Sequence, residues 1–139
     1  MPRLGHVLLS GVAGFMIDPR SPVICIIDDD PWARSGLEEL VLALGFPART
    51  FESAEQFVES DAVADTKCVI TDVQMPGLSG LELQSRLRSD GHKTPVIFVT
   101  AYPNESYRQR AFADGAVGFL TKPFDDRSLI DCLQRAMAA

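Results

Sequence analysis

The residues of this chain that could do chemistry fall at the ends of apolar runs. Asp28, Asp29 and Asp30 follow residues 23–27, Asp72 follows 67–71, Thr100 closes 95–100, and Lys122 follows 117–121. Carboxylates brought together repel one another and raise each other's pKa unless a cation joins them. A divalent ion reverses that logic. Oxygen-only ligands with no His or Cys favour Mg²⁺, with Mn²⁺ as the alternative, over zinc. Beside such an ion Asp72 could attack a phosphate-bearing donor as a nucleophile and form an acyl phosphate. Thr100 and Lys122 would then bond the phosphoryl oxygens, and Lys122 would offset the developing charge.

These groups meet only if the runs that carry them are parallel strands. Residues 23–27, 95–100 and 117–121 are near-continuous apolar or β-branched runs, as expected of strands buried on both faces. Residues 67–71 deliver Asp72 in the same way, and a Pro76-Gly77 turn follows. A shorter strand is predicted near 48–51. Helices are predicted between them. Asp30 suits an N-cap with Pro31 at the first helical position, and Leu37, Leu40, Val41 and Leu44 recur at helical spacing up to Gly45. Ser53 caps a short helix to about Ser60 with Phe57 and Val58 facing inward, and Ser79 begins one with Leu81, Leu83 and Leu87, closed by Gly91. A polar helix is expected over 104–113, ended by Gly115, and a last one over 126–138 with Leu129, Ile130, Leu133 and Met137 on one face. Five strands alternating with five helices argue an α/β fold, a parallel sheet covered on both faces. Ligands in such sheets bind at the strand tips, where the acidic, hydroxyl and amine groups lie.

Composition is that of one globular domain: 139 residues, 46% hydrophobic, 23% charged. A net charge of −6 gives nonspecific nucleic-acid binding no electrostatic support. No apolar stretch approaches the ~18 residues of a membrane-spanning helix. Cys25, Cys68 and Cys132 are odd in number and widely spaced, so they read as buried reduced thiols in a cytoplasmic protein. His6 and His92 fall outside the strand-tip constellation. Residues 1–20 differ from the rest: 7–17 is mildly apolar with Gly and Ser, and there is no convincing signal-peptide cleavage site. They read as a poorly ordered extension with Met16 an alternative start, or as a short docking segment; the domain proper is 21–139.

Five segments carry a resemblance: Ile26-Ile27-Asp28-Asp29-Asp30, the stretch from Thr71-Asp72-Val73-Gln74-Met75-Pro76 to Gly80, Val99-Thr100-Ala101, Gly115-Ala116, and Phe119-Leu120-Thr121-Lys122-Pro123-Phe124. In this order and spacing the chain resembles the receiver domains of bacterial two-component response regulators, closest to those of the nitrogen-fixation regulator type. The resemblance implies a flavodoxin-like, doubly wound (βα)5 fold with sheet order 2-1-3-4-5. It implies that Asp72 is the phosphorylated aspartate, that Asp28 and Asp29 bind Mg²⁺ together with Asp72, and that Gln74 contributes its backbone carbonyl. Thr100 resembles the switch hydroxyl with Ala101 beside it, and Lys122 the phosphate-binding lysine before a cis bond to Pro123. Phe119 resembles the aromatic switch, often Tyr in the family. Tyr102 occupies a position that varies and can affect dephosphorylation.

The implied partners are a sensor histidine kinase or a histidine phosphotransfer protein, and a downstream protein reading the fourth helix, fifth strand and fifth helix; a homodimer formed on phosphorylation is a further option. Such a domain is a signalling module rather than an enzyme. Two outputs stay open: a stand-alone receiver, which is favoured, or the receiver portion of a longer DNA-binding regulator. A rival class is a Mg²⁺-dependent phosphatase with Asp28 as nucleophile in Asp28-x-Asp30, although Pro31-Trp32 fits poorly after that motif. A flavin mononucleotide binder would share the topology, but three successive aspartates would repel its phosphate.

Overall fold

The computed structural model describes residues 23–138 together with Val7–Leu8 and Met16–Ile17. Those two short segments pair antiparallel. The rest of the extension expected over 1–20 lies outside the described residues, as does His6. Strands β1 (Val23–Ile27), β2 (Ala48–Phe51), β3 (Thr66–Asp72), β4 (Val96–Thr100) and β5 (Gly118–Thr121) form one parallel sheet in the order β2-β1-β3-β4-β5. Helices α1 (Pro31–Ala43), α2 (Ala54–Glu59), α3 (Gly80–Ser89), α4 (Glu105–Ala113) and α5 (Asp126–Ala138) connect or follow them. This is the flavodoxin-like order 2-1-3-4-5, which reverses direction between β1 and β3, where such folds bind ligands.

Register makes the strand tips coincide. Ile27 lies opposite Thr71, so Asp28 and Asp72 each follow a paired residue at the same level. Asp72 lies opposite Val99, and Thr100 lies opposite Thr121, immediately before Lys122. Side chains alternate across a strand, and the core divides accordingly. Ile24, Ile26, Cys68, Ile70, Ile97 and Val99 pack with Leu37 and Val41 of α1 and Leu129 and Leu133 of α5. Cys25, Ile27, Val69, Val96 and Phe98 pack with Phe57 of α2 and Leu81, Leu83 and Leu87 of α3.

The caps explain most differences from the predicted boundaries. Ser79 and Asn104 precede their helices rather than opening them, because their extended backbones let the side-chain oxygens accept from the N–H groups of Glu82 and Tyr107. Ser79 and Glu82 form a reciprocal capping box. Asp30 and Ser53 cap as predicted, from Trp32 and Gln56. A short 3₁₀ turn, Val63–Asp65, leads into β3. In α5 the buried face is Leu129, Cys132, Leu133 and Ala136; Ile130 and Met137 are only half-buried, because the sheet is reached by smaller residues one step round the helix. In α3 the buried set includes a polar residue, Gln84, whose amide nitrogen donates to the carbonyl oxygen of Ala111 at 3.1 Å. All three cysteines are free and buried.

Candidate functional site

Asp28 is fully buried at the tip of β1. Its Oδ1 accepts from the Asp30 N–H at 2.9 Å, and its Oδ2 meets Lys122 Nζ at 2.9 Å. Asp72 is more open, with a side chain 14% exposed. Its Oδ2 lies 3.3 Å from the same Lys122 Nζ, and its Oδ1 accepts from the Gln74 N–H at 3.2 Å. Asp29 is exposed beside them, and one carboxylate oxygen from each of Asp28, Asp29 and Asp72 lies within 4.8 Å of the others. One ammonium thus serves two carboxylates of a cluster of three.

The electrostatics follow. Burial raises the Asp72 pKa above its ordinary value, and Asp28 adds to that, whereas Lys122 and the Gln74 N–H pull it down without prevailing. For Lys122 burial pulls the pKa down, but the hydrogen bond and charge of Asp28, then Asp72, outweigh it, so the ammonium is held above its usual range. The pocket retains an excess of negative charge, all its donor atoms are oxygens, and two carboxylates already compete for one lysine. A divalent hard cation fits that donor set.

Thr100 is buried, with its Oγ1 accepting from the Tyr102 N–H at 3.1 Å rather than bonding Asp72. Ala101 is exposed next to it. The Lys122 N–H donates to the Thr100 carbonyl oxygen at 2.7 Å, which ties the β4 and β5 tips together. The Lys122–Pro123 bond is cis, as implied by the resemblance. Phe119 is half-buried, its ring centroid 6.1 Å from that of Phe98 on the neighbouring strand. Gln74 is exposed and its side-chain amide lies 3.4 Å from the Tyr107 hydroxyl of α4. Trp32 is 86% exposed at the start of α1, and His92 makes no contact with the site residues among its hydrogen bonds.

Two contacts around the site were not foreseen. Arg34 Nη1 donates to the Asp28 carbonyl oxygen at 2.7 Å, fixing the backbone at the β1 tip. Glu55 Oε2 accepts from the Leu78 N–H at 2.8 Å, reaching from α2 into the loop after Asp72. Neither carries a signal in the sequence. Arg34 reads as a solvated helix residue, and an acid in the first turn of a helix is expected from the helix dipole alone.

The chain belongs to the response regulator receiver domain family, whose model it matches over residues 24–134. Among curated proteins it is 36% identical over 115 residues to the transcriptional regulatory protein TdiR of Thauera aromatica, covering 83% of this chain and 51% of that one. It is 35% identical over 119 residues to the transcriptional regulatory protein FixJ of Azorhizobium caulinodans, covering 86% and 56%. A structure of the response regulator StyR superposes with a TM-score of 0.79 at 35% identity, covering 85% of this chain and 60% of that one. The chain spans about half the length of the curated relatives it matches. It is therefore a signalling domain of two-component systems, with the receiver fold. Among the described residues no helix is long and apolar enough to cross a membrane.

Proposed function

We propose that Asp72 is the phosphoacceptor, receiving a phosphoryl group from a sensor histidine kinase or a histidine phosphotransfer protein. The observation that carries this is the convergence of the Asp28, Asp29 and Asp72 carboxylates within 4.8 Å, with Lys122 bonded to two of them. Mg²⁺, or Mn²⁺, held by Asp28, Asp29, Asp72 and the Gln74 backbone carbonyl, would offset the charge of donor and carboxylates. Asp72 rather than Asp28 suits the nucleophile. Both carboxylates have their two oxygens engaged, but Asp28 has no exposed surface and the shorter contact with Lys122, whereas Asp72 opens to solvent. That contrast also argues against the phosphatase reading with Asp28 as nucleophile.

Lys122 already sits against Asp72 Oδ2, where it can accompany the transferred phosphoryl group. Thr100 must give up Tyr102 to bond the new oxygens, and Phe119 then follows into the space that Thr100 vacates. Phosphorylation adds charge and acceptor oxygens, and the surface of α4, β5 and α5 reads the change for a downstream protein or a second copy of the chain. Moving a two-state equilibrium from 1:99 to 99:1 takes roughly 5.5 kcal/mol of differential stabilisation. The domain turns over no separate substrate and works in the cytoplasm, in keeping with its free thiols. Stand-alone output is one reading. The share of TdiR and FixJ that is covered, 51% and 56%, favours the other, a receiver that serves a longer DNA-binding regulator.

Intact-mass analysis after incubation with Mg²⁺ and a small acyl phosphate tests the reading. One added phosphoryl group is expected, absent in Asp72→Ala and absent with a chelator. Phosphorylation that persists in Asp72→Ala, or an unmodified wild-type chain, would contradict it.

A further inference from the structure

Residues 73–79 link Asp72 to α3, and several backbone N–H groups in and beside this loop are held by specific partners. The Gln74 N–H bonds Asp72 Oδ1, the Ser79 N–H bonds Glu82 Oε1, and the Gly80 N–H bonds the Val73 carbonyl oxygen. The Leu78 N–H has no partner within the loop or α3. It is taken by Glu55 Oε2 at 2.8 Å, across 23 positions of sequence and from a different helix. Gly77 belongs to the same contact. Its φ of +78° is a left-handed conformation, and a Cβ there would collide with the Glu55 carboxylate. The turn is thus shaped around this side chain. The other carboxylate oxygen, Oε1, is buried without a hydrogen-bond partner among the described residues. Leaving a buried acceptor oxygen unsatisfied costs free energy, so packing alone does not account for a polar side chain here.

We propose that Glu55 is a positioning residue for Asp72: it anchors the far end of the loop at Leu78 so that the Gln74 N–H stays on Asp72 Oδ1 and directs Oδ2 toward Lys122. This rests on Asp72 being the phosphoacceptor. The role belongs to the reach and acceptor oxygen of Glu55, not to its charge, because the loop offers a neutral N–H.

Three variants separate reach from charge: Glu55→Gln keeps the acceptor at full reach, Glu55→Asp keeps the charge but withdraws it by one methylene, and Glu55→Ala removes both. Phosphorylation rates from a small acyl phosphate are followed by intact mass, and Mg²⁺ affinity by titration calorimetry, well below each variant's unfolding midpoint. Loss of the Leu78 N–H hydrogen bond predicts a rate about tenfold lower in Glu55→Ala and Glu55→Asp, with Glu55→Gln, which keeps an acceptor oxygen there, within about threefold of wild type. Mg²⁺ affinity falls in the same order, because the same loop orients Asp72. Wild-type rates and Mg²⁺ affinities in folded Glu55→Ala would overturn the inference. So would a Glu55→Gln as slow as Glu55→Ala, since charge would then be the property in use. A wild-type chain that takes no phosphoryl group would instead refute the phosphoacceptor reading.

Discussion

On the α1 and α5 side of the strand tips, Lys122 joins Asp28 at 2.9 Å and Asp72 at 3.3 Å, and α5 beneath them buries Leu129, Cys132, Leu133 and Ala136. On the α3 and α4 side, Thr100 bonds its own neighbour Tyr102, Phe119 is half-buried, and α4 buries only Ala111. Strand parity underlies the division. Asp28, Asp72 and Lys122 continue the alternation of Ile26, Ile70 and Leu120, whereas Thr100 continues that of Phe98, which pairs with Phe119. The groups that would take a phosphoryl group are assembled in advance. Of the groups that would report it, Thr100 is bonded to Tyr102 and Phe119 is half-buried, and α4, the helix beside them, buries the least apolar surface. A switch needs that asymmetry: chemistry requires preorganised charge, and readout requires an element with two arrangements close in free energy.

Three expectations can break or sharpen this contrast, taken from the largest effect to the smallest. Truncating Leu129 in α5 should cost about 3 kcal/mol by denaturant unfolding, as for other buried leucines, whereas Tyr107→Ala in α4 should cost about 1 kcal/mol because less surface leaves water there. Equal costs would remove the anchorage argument.

Lys122→Ala leaves Asp28 buried without its cation. Stability in a chelator should fall by about 2 kcal/mol, less than for a wholly buried pair because Lys122 itself is partly exposed, and added Mg²⁺ should restore much of it. No response to Mg²⁺ would count against a cation taking over the role of Lys122.

The third concerns pH. Asp72 is raised above its ordinary 3.8, so its protonated form is favoured by folding. That contribution is fully present below pH 3.8 and is lost as pH rises through the folded value. Asp72→Asn should therefore be slightly more stable than wild type at pH 7 in a chelator, the smallest of the three effects because the side chain is partly solvent-screened. The gain should vanish toward pH 3 and shrink when Mg²⁺ is present. Lys122 is raised above 10.5, so its contribution holds throughout that range and is lost only as pH climbs past that value. An Asp72→Asn variant less stable than wild type at pH 7 would mean that pairing with Lys122 outweighs burial.

The fold and the constellation could be read from the sequence because they rest on strong local signals. Continuous apolar runs ending in polar residues place Asp28, Asp72, Thr100 and Lys122, and oxygen-bearing residues mark the caps Asp30 and Ser53, whereas Ser79 and Asn104 read as first helical residues and prove to be caps. Contacts made by ordinary-looking residues across long separations could not be read this way. Glu55 to Leu78, Arg34 to the Asp28 carbonyl and Gln84 to the end of α4 each join elements whose distance is set only by the packed sheet. The buried face of α5 lies one step round the helix from its most hydropathic face for a related reason. Hydropathy favours Ile130 and Met137, but the close approach to Gly118 selects Cys132, whose Sγ occupies the space a Cβ would fill.

The most direct test of the central claim is to locate the modified residue chemically. After treatment with an acyl phosphate and Mg²⁺, borohydride reduces an aspartyl phosphate to homoserine, which peptide mass spectrometry can place. Homoserine at position 72 alone is the predicted result. Homoserine at 28 or 29 instead, or none at 72, would contradict the assignment of Asp72 as the acceptor.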